Sequence, residues 1–178
     1  DPHGSVYLPA TPASRLLYTA DSRLTIVSTP ELKVENIVYP DWVLERYLQR
    51  PEDDQRIADL ARVVTYNAIT VYEKVKAIET HLRRGYQYSL EVKANPRRSP
   101  IDDFLFGQKT GYCEHFSTAM VLMLRGLGIP SRLVTGFLPG EWNEYGSYYM
   151  VRQSDAHAWV EAYFPHSGWI TFDPTPPA

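Results

Sequence analysis

Lys109-Thr110-Gly111-Tyr112-Cys113-Glu114-His115-Phe116-Ser117-Thr118-Ala119 is the stretch that decides the fold. A glycine turn runs straight into an apolar-periodic segment, and the chain's single cysteine sits at the junction. From Cys113 onward Phe116, Ala119, Met120, Met123, Leu124 and Leu127 recur at the spacing of a helix with one buried face. Gly126 and Gly128 end that helix, and Pro130 forbids its continuation. The thiol therefore falls at a helix start, where the positive end of the macrodipole favours thiolate over thiol.

Beyond the helix the period changes to two. Residues 132–138, 147–153, 156–164 and 169–172 read as strands. Pro139-Gly140, Glu144-Tyr145-Gly146, Ser154-Asp155 and Pro165-His166-Ser167-Gly168 are their turns, a spacing that suits an antiparallel meander.

Upstream, Pro51-Glu52-Asp53-Asp54 opens a helix that buries Ile57, Leu60, Ala61 and Val64. Thr70 and Glu73 form a capping box for a second helix, with Val71, Val75, Ile78 and Leu82 as its stripe and Gly85 as its stop. Residues 1–17 form an opening segment punctuated by prolines. Arg23 to Ser28 alternates as a strand ended by Pro30, and residues 41–49 suit a short helix. Residues 86–90 read as a short extended piece, 97–100 as a loop, and 101–106 as an apolar lead-in to the glycine turn. The expected fold class is α+β, with a nucleophile-bearing helix packed on an antiparallel sheet. Residues 1–50 form an N-terminal extension and residues 51–178 the core. The tail Pro174-Thr175-Pro176-Pro177 reads as a domain edge.

The 178 residues are 44% hydrophobic and 13% aromatic, which suffices for one sizeable core. A net charge of −3 gives no electrostatic case for nucleic acid or anionic lipid. One cysteine excludes an internal disulfide framework. No apolar run reaches the roughly 18 residues of a membrane span. A start at Asp1 is expected of a segment cut from a longer protein.

Among the five histidines, His115 lies two residues from Cys113, so on a helix the two side chains diverge. His3 is in the opening segment, His81 borders the stripe of a scaffold helix, and His166 is in a turn. His157 lies in an aromatic-rich strand that can hold its ring in one orientation. A carboxylate would fix its tautomer. Asp173, at the end of the next strand, is the first candidate for that role, and Asp155 competes from the preceding turn. Cys113, His157 and Asp173 are thus the candidate catalytic set of a thiol acyl-transfer site.

Competing readings are a packed small hydrophobe for Cys113 and a zinc site through Cys113, His115 and His157. The helix-start N–H groups are natural oxyanion donors, and Gln108 is a candidate second donor. Tyr112 and Trp159 are candidate substrate-lining residues, and Trp159 shares a strand face with His157. Trp142, Tyr145, Tyr148 and Tyr149 cluster around one hairpin, as groove or as packing.

Four tracts in order resemble the bacterial transglutaminase-like core: Gly111 to Ala119, Gly128-Ile129-Pro130-Ser131-Arg132, Asp155 to Glu161, and Trp169 to Thr175. Leu48-Gln49-Arg50-Pro51 and Arg83 to Ser89 look like its membrane-anchored branch. The resemblance implies a papain-like fold, with Cys113 as nucleophile, His157 as base then acid, and Asp173 as its orienter. It implies attack on a glutamine-type amide of a protein or peptide, and transfer of the acyl group to an amine or water. Peptidase or amidase hydrolysis and non-catalytic peptide or cell-wall binding are the alternatives the family leaves open. An extracytoplasmic location follows, with any membrane contact made through spans elsewhere in the parent protein. No cofactor is expected. The calcium loops of animal transglutaminases have no Asp-rich counterpart here, so metal independence is expected too.

Overall fold

The computed structural model describes residues 26–51 and 54–177, together with Thr19. Helices α1 (Thr29–Val34), α2 (Asp41–Tyr47), α3 (Gln55–Val64) and α4 (Val71–Gly85) come first. They are followed by β1 (Gln87–Tyr88), α5 (Pro100–Phe106), β2 (Thr110–Gly111) and α6 (Cys113–Gly126). Strands β3 (Ser131–Phe137), β4 (Glu141–Asn143), β5 (Tyr148–Met150), β6 (Ala156–Phe164) and β7 (Gly168–Phe172) complete the chain. The expected α+β class with an antiparallel sheet is what forms.

Helix α6 is the core element. Phe116, Ala119, Met120, Met123 and Leu124 are fully buried on it. They pack with Ile57 and Ala61 of α3, Val75, Ile78 and Leu82 of α4, and Phe104 and Leu105 of α5. Val160, Ala162, Phe164 and Phe172 close the core from the sheet. Each large side chain so buried contributes about 1.5–3 kcal/mol. The α4 capping box forms as read: Thr70 Oγ1 accepts from the Glu73 N–H at 3.2 Å, and Glu73 Oε2 accepts from the Thr70 N–H at 3.2 Å.

The main sheet has the order β3-β6-β7, antiparallel throughout. Strands β4 and β5 pair only with each other. The meander expectation is therefore corrected: residues 138–155 are an excursion between two paired strands. Its exposed Trp142, Tyr145, Tyr148 and Tyr149 lack the inward face that joining the main sheet would require.

Two further expectations change. Most of the strand read over residues 23–28 lies outside the described residues. Its end, Ile26 to Ser28, is coil leading into α1, where Pro30 sits in the first turn. Glu31 Oε2 accepts from the Ser28 N–H at 2.8 Å, so Ser-Thr-Pro-Glu is a helix start rather than a strand stop. The tract from Pro100 is likewise helical. Ser99 Oγ accepts from the Asp102 N–H at 3.2 Å, and proline occupies the first turn.

The segment before residue 51 packs on the core. Trp42 and Tyr47 of α2 set ring edges on Tyr163 and Trp169 of the sheet, at 6.0 and 4.6 Å. Glu35 accepts from the His166 N–H at 2.6 Å and from Ser167 Oγ at 2.7 Å, clamping the β6–β7 turn.

Candidate active site

Register explains how His157 and Asp173 meet. Val160 pairs with Phe172, and both are buried. One step further along, Asp173 falls across from Trp159, on the face opposite Val160. On β6 that face carries His157, Trp159, Glu161 and Tyr163, while Ala158, Val160, Ala162 and Phe164 point to the core. Asp173 is thus a diagonal neighbour of His157. His157 Nε2 lies 2.8 Å from Asp173 Oδ2, with the imidazole side chain only 11% exposed. An acceptor on Nε2 selects the tautomer protonated there and leaves Nδ1 as the free ring nitrogen. Asp155, the competitor, is spent elsewhere: its Oδ2 accepts from the Arg152 N–H at 2.6 Å.

Cys113 and His157 line one cleft of about 130 Å³ with Glu114, Thr135, Gly136, Ala156 and Ala158. The thiol is partly exposed at the first residue of α6. Its neighbour Gly111 is buried, and a Cβ there would come 2.7 Å from His115 Cβ and 2.8 Å from Phe104. Only glycine lets the chain approach α5 so closely before the helix begins. Among the described residues, no backbone acceptor takes the N–H of Cys113 or Glu114, as at any helix start. Both residues line the cleft, so two adjacent N–H groups without a backbone acceptor belong to its wall. Helix α6 and strand β6 are locked beside it by the buried Ser117, whose hydroxyl donates to the Ala158 carbonyl at 3.0 Å.

The remaining sequence candidates separate. Gln108 does not line the cleft; its amide donates to the Lys93 carbonyl at 2.8 Å and to the Asp103 carboxylate. Both hydrogens are engaged in holding the loop, which corrects the expectation that it is an oxyanion donor. Tyr112 and His115 line a separate cavity of about 260 Å³ with Lys93, Asn95 and Arg98. His115 Nδ1 accepts from the Tyr112 N–H at 3.4 Å, and burial holds its pKa below the ordinary histidine value. The zinc reading thus loses a donor, since His115 is not at the cleft. Trp159 stacks beside His157, with centroids 6.4 Å apart and planes 23° apart, and lies over Gly136.

Sequence reasoning missed three residues here. Glu79 of α4 is 5% exposed and accepts from the Asp173 N–H at 3.1 Å. Ser117 makes the tether just described. Tyr88 pairs across from Gly111 and stacks on Phe116 at 6.5 Å. Burial first, and the charge of Cys113 second, push the Tyr88 phenol upward. The only available signal was that Ser117 follows Cys113 by one helical turn.

A cysteine at the start of a buried helix, packed on an antiparallel sheet that bears a histidine–carboxylate pair, defines the papain-like class of fold. The sequence pattern of the transglutaminase-like superfamily matches residues 58–174, and the chain belongs to that superfamily. YebA of Bacillus subtilis (strain 168), an uncharacterized protein, is 42% identical over 139 residues, 74% of this chain and 19% of that one. A protein-glutamine gamma-glutamyltransferase of Pseudomonas aeruginosa is 51% identical over 75 residues, 42% of this chain and 11% of that one. The crystal structure of the periplasmic domain of TgpA from Pseudomonas aeruginosa superposes with a TM-score of 0.69 at 36% identity. That match covers 76% of this chain and 48% of the crystallised one, so the chain spans about half of that domain and under a fifth of either curated relative. Among the described residues, no helix is long and apolar enough to cross a membrane.

Proposed function

We propose that this chain is a catalytic core for thiol-dependent acyl transfer on glutamine-type amides of proteins or peptides. The observation that carries the reading is the 2.8 Å contact between His157 Nε2 and Asp173 Oδ2, made where His157 and Cys113 line the same cleft. The glutamyltransferase relative supports the choice of amide.

In the proposed reaction Cys113 Sγ attacks the carboxamide carbon. The C–N bond breaks, His157 gives the departing nitrogen its proton, and ammonia leaves a thioester on Cys113. An amine, or water, then attacks the thioester. His157 takes the proton of the incoming group, and the thiolate departs. Asp173 keeps the ring oriented and stabilises the imidazolium. The Cys113 and Glu114 N–H groups receive the oxyanion of each tetrahedral intermediate. The match to a periplasmic domain supports an extracytoplasmic setting for the parent protein.

The test incubates the chain with a glutamine donor peptide and a labelled primary amine, with Cys113→Ala as control. Ammonia release with amine incorporation, absent from the control, is expected. Ammonia without incorporation would assign hydrolysis, and neither product would defeat the enzymatic reading.

A further inference from the structure

We infer that Glu79 is a positioning residue that holds Asp173 in register for His157, an inference that rests on the proposed role of that pair. Asp173 stands one residue beyond β7, where the ladder has ended, and Pro174 follows it without an N–H of its own. Its backbone is therefore left to other partners. Glu79 supplies one: its Oε1 accepts the Asp173 N–H at 3.1 Å from a helix 94 residues earlier in the chain. The side chain is held as well, since the Thr175 N–H donates to Asp173 Oδ1 at 2.9 Å. His157 takes the remaining oxygen, Oδ2. Backbone amide and both carboxylate oxygens are thus each assigned, and the carboxylate has one orientation.

The choice of a charged residue is informative. A carboxylate buried to 5% exposure is costly unless paired. Here Lys76, one turn earlier on α4, closes on Glu79 Oε2. The ion pair fixes Glu79 and leaves Oε1 aimed at Asp173. A charge-assisted bond to a backbone N–H is stronger than a neutral one, so the end of β7 is held where no ladder bond holds it. Glu79 acts on the reaction only through Asp173; it does not line the cleft.

The experiment is a double-mutant cycle. Glu79→Leu and Glu79→Gln are made in the parent chain and in Asp173→Ala. Amine incorporation is measured as kcat and KM, alongside the Cys113 alkylation rate and thermal melting. Glu79→Leu is expected to lower kcat by roughly tenfold or more, with KM changed less than about twofold. Glu79→Gln, which keeps the acceptor oxygen, is expected to recover most of that loss. In Asp173→Ala the further change to Leu is expected to cost less than about twofold, because the residue acted upon is gone. Should Glu79→Leu not fold, Lys76→Ala unclamps Glu79 without removing the acceptor, and the same coupled loss is expected. A lowered melting temperature with unchanged kcat, or an undiminished loss in Asp173→Ala, would overturn the inference. Full activity in Asp173→Ala alone would instead overturn the reading of the pair, and Glu79's role with it.

Discussion

The hydroxyl of Ser117 donates to the carbonyl of Ala158 at 3.0 Å, joining the helix that starts at Cys113 to the strand that carries His157. Ser117 stands one helical turn after the thiol, and Ala158 follows the histidine directly. The bond is buried and fixes the sliding of α6 along β6 within one turn of the site.

Ser117→Ala removes that tether with little change in volume. A stability loss of about 0.5–1.5 kcal/mol is expected, the usual net worth of one such bond. A fall in kcat larger than that loss explains is expected beside it. Denaturant melts and amine-incorporation kinetics on one preparation separate the two, and unchanged kcat would show that packing alone sets the helix position.

Gly136 pairs with His157 across the ladder, and the Trp159 ring lies over it. A Cβ there would come within 2.7 Å of the indole. Gly136→Ala is expected to destabilise by about 1–3 kcal/mol through overpacking, and to lower kcat/KM by shifting the ring beside His157. Adding Trp159→Phe should restore part of both, as read by melting and initial rates.

For the proposed triad, His157→Ala is expected to lower turnover by about 10²–10⁴-fold, the usual contribution of a general base. Asp173→Ala is expected to reduce turnover less severely. Iodoacetamide labelling near pH 6 gives an independent measure: Cys113 should react faster than free cysteine in the parent chain and lose that advantage in His157→Ala. Equal labelling of the two would remove His157 from the role of partner.

His81 predicts acid sensitivity. Burial first, and Lys109 second, hold its pKa below the ordinary histidine value, and its Nε2 is buried without a hydrogen-bond partner among the described residues. The unfolded chain binds a proton at this site below about pH 6.5, where the folded chain still resists it. Stability is therefore complete above that pH and declines as pH falls toward the folded value. His115, lowered by burial, acts in the same direction. The melting temperature should drop between pH 7 and pH 5, and His81→Phe, which keeps the edge contact with Tyr86, should flatten the drop. An unchanged slope would place the acid sensitivity elsewhere.

The sheet and α6 were legible because burial imposes a period. Apolar residues at helical spacing after Cys113, and alternation from Ala156 to Phe164, have few other solutions. Helices α1 and α5 escaped because proline reads as punctuation, whereas in a first turn it is a helix-compatible residue. Cys113 stands out as the lone cysteine, whereas His157 and Asp173, among five histidines and 21 acidic residues, stand out only by their places on adjacent strands. Glu79 does not, since an acid on an amphipathic helix ordinarily faces water, and only tertiary packing reveals that this one is buried against Asp173. Gln108 failed for the converse reason: nearness in sequence to Cys113 does not decide which acceptors its amide finds.

The excursion of residues 138–155 leaves and rejoins the sheet at Phe137 and Ala156, which face each other in the ladder. Its length and composition are therefore decoupled from the register that sets His157. Because Ala156 lines the cleft, the excursion starts and ends beside it, and evolution or an engineer can recut that neighbouring hairpin while the reacting groups stay in place. Replacing residues 138–155 with a short turn should leave Cys113 alkylation unaltered while changing which peptides are accepted, a separation that parallel labelling and peptide-panel assays would measure.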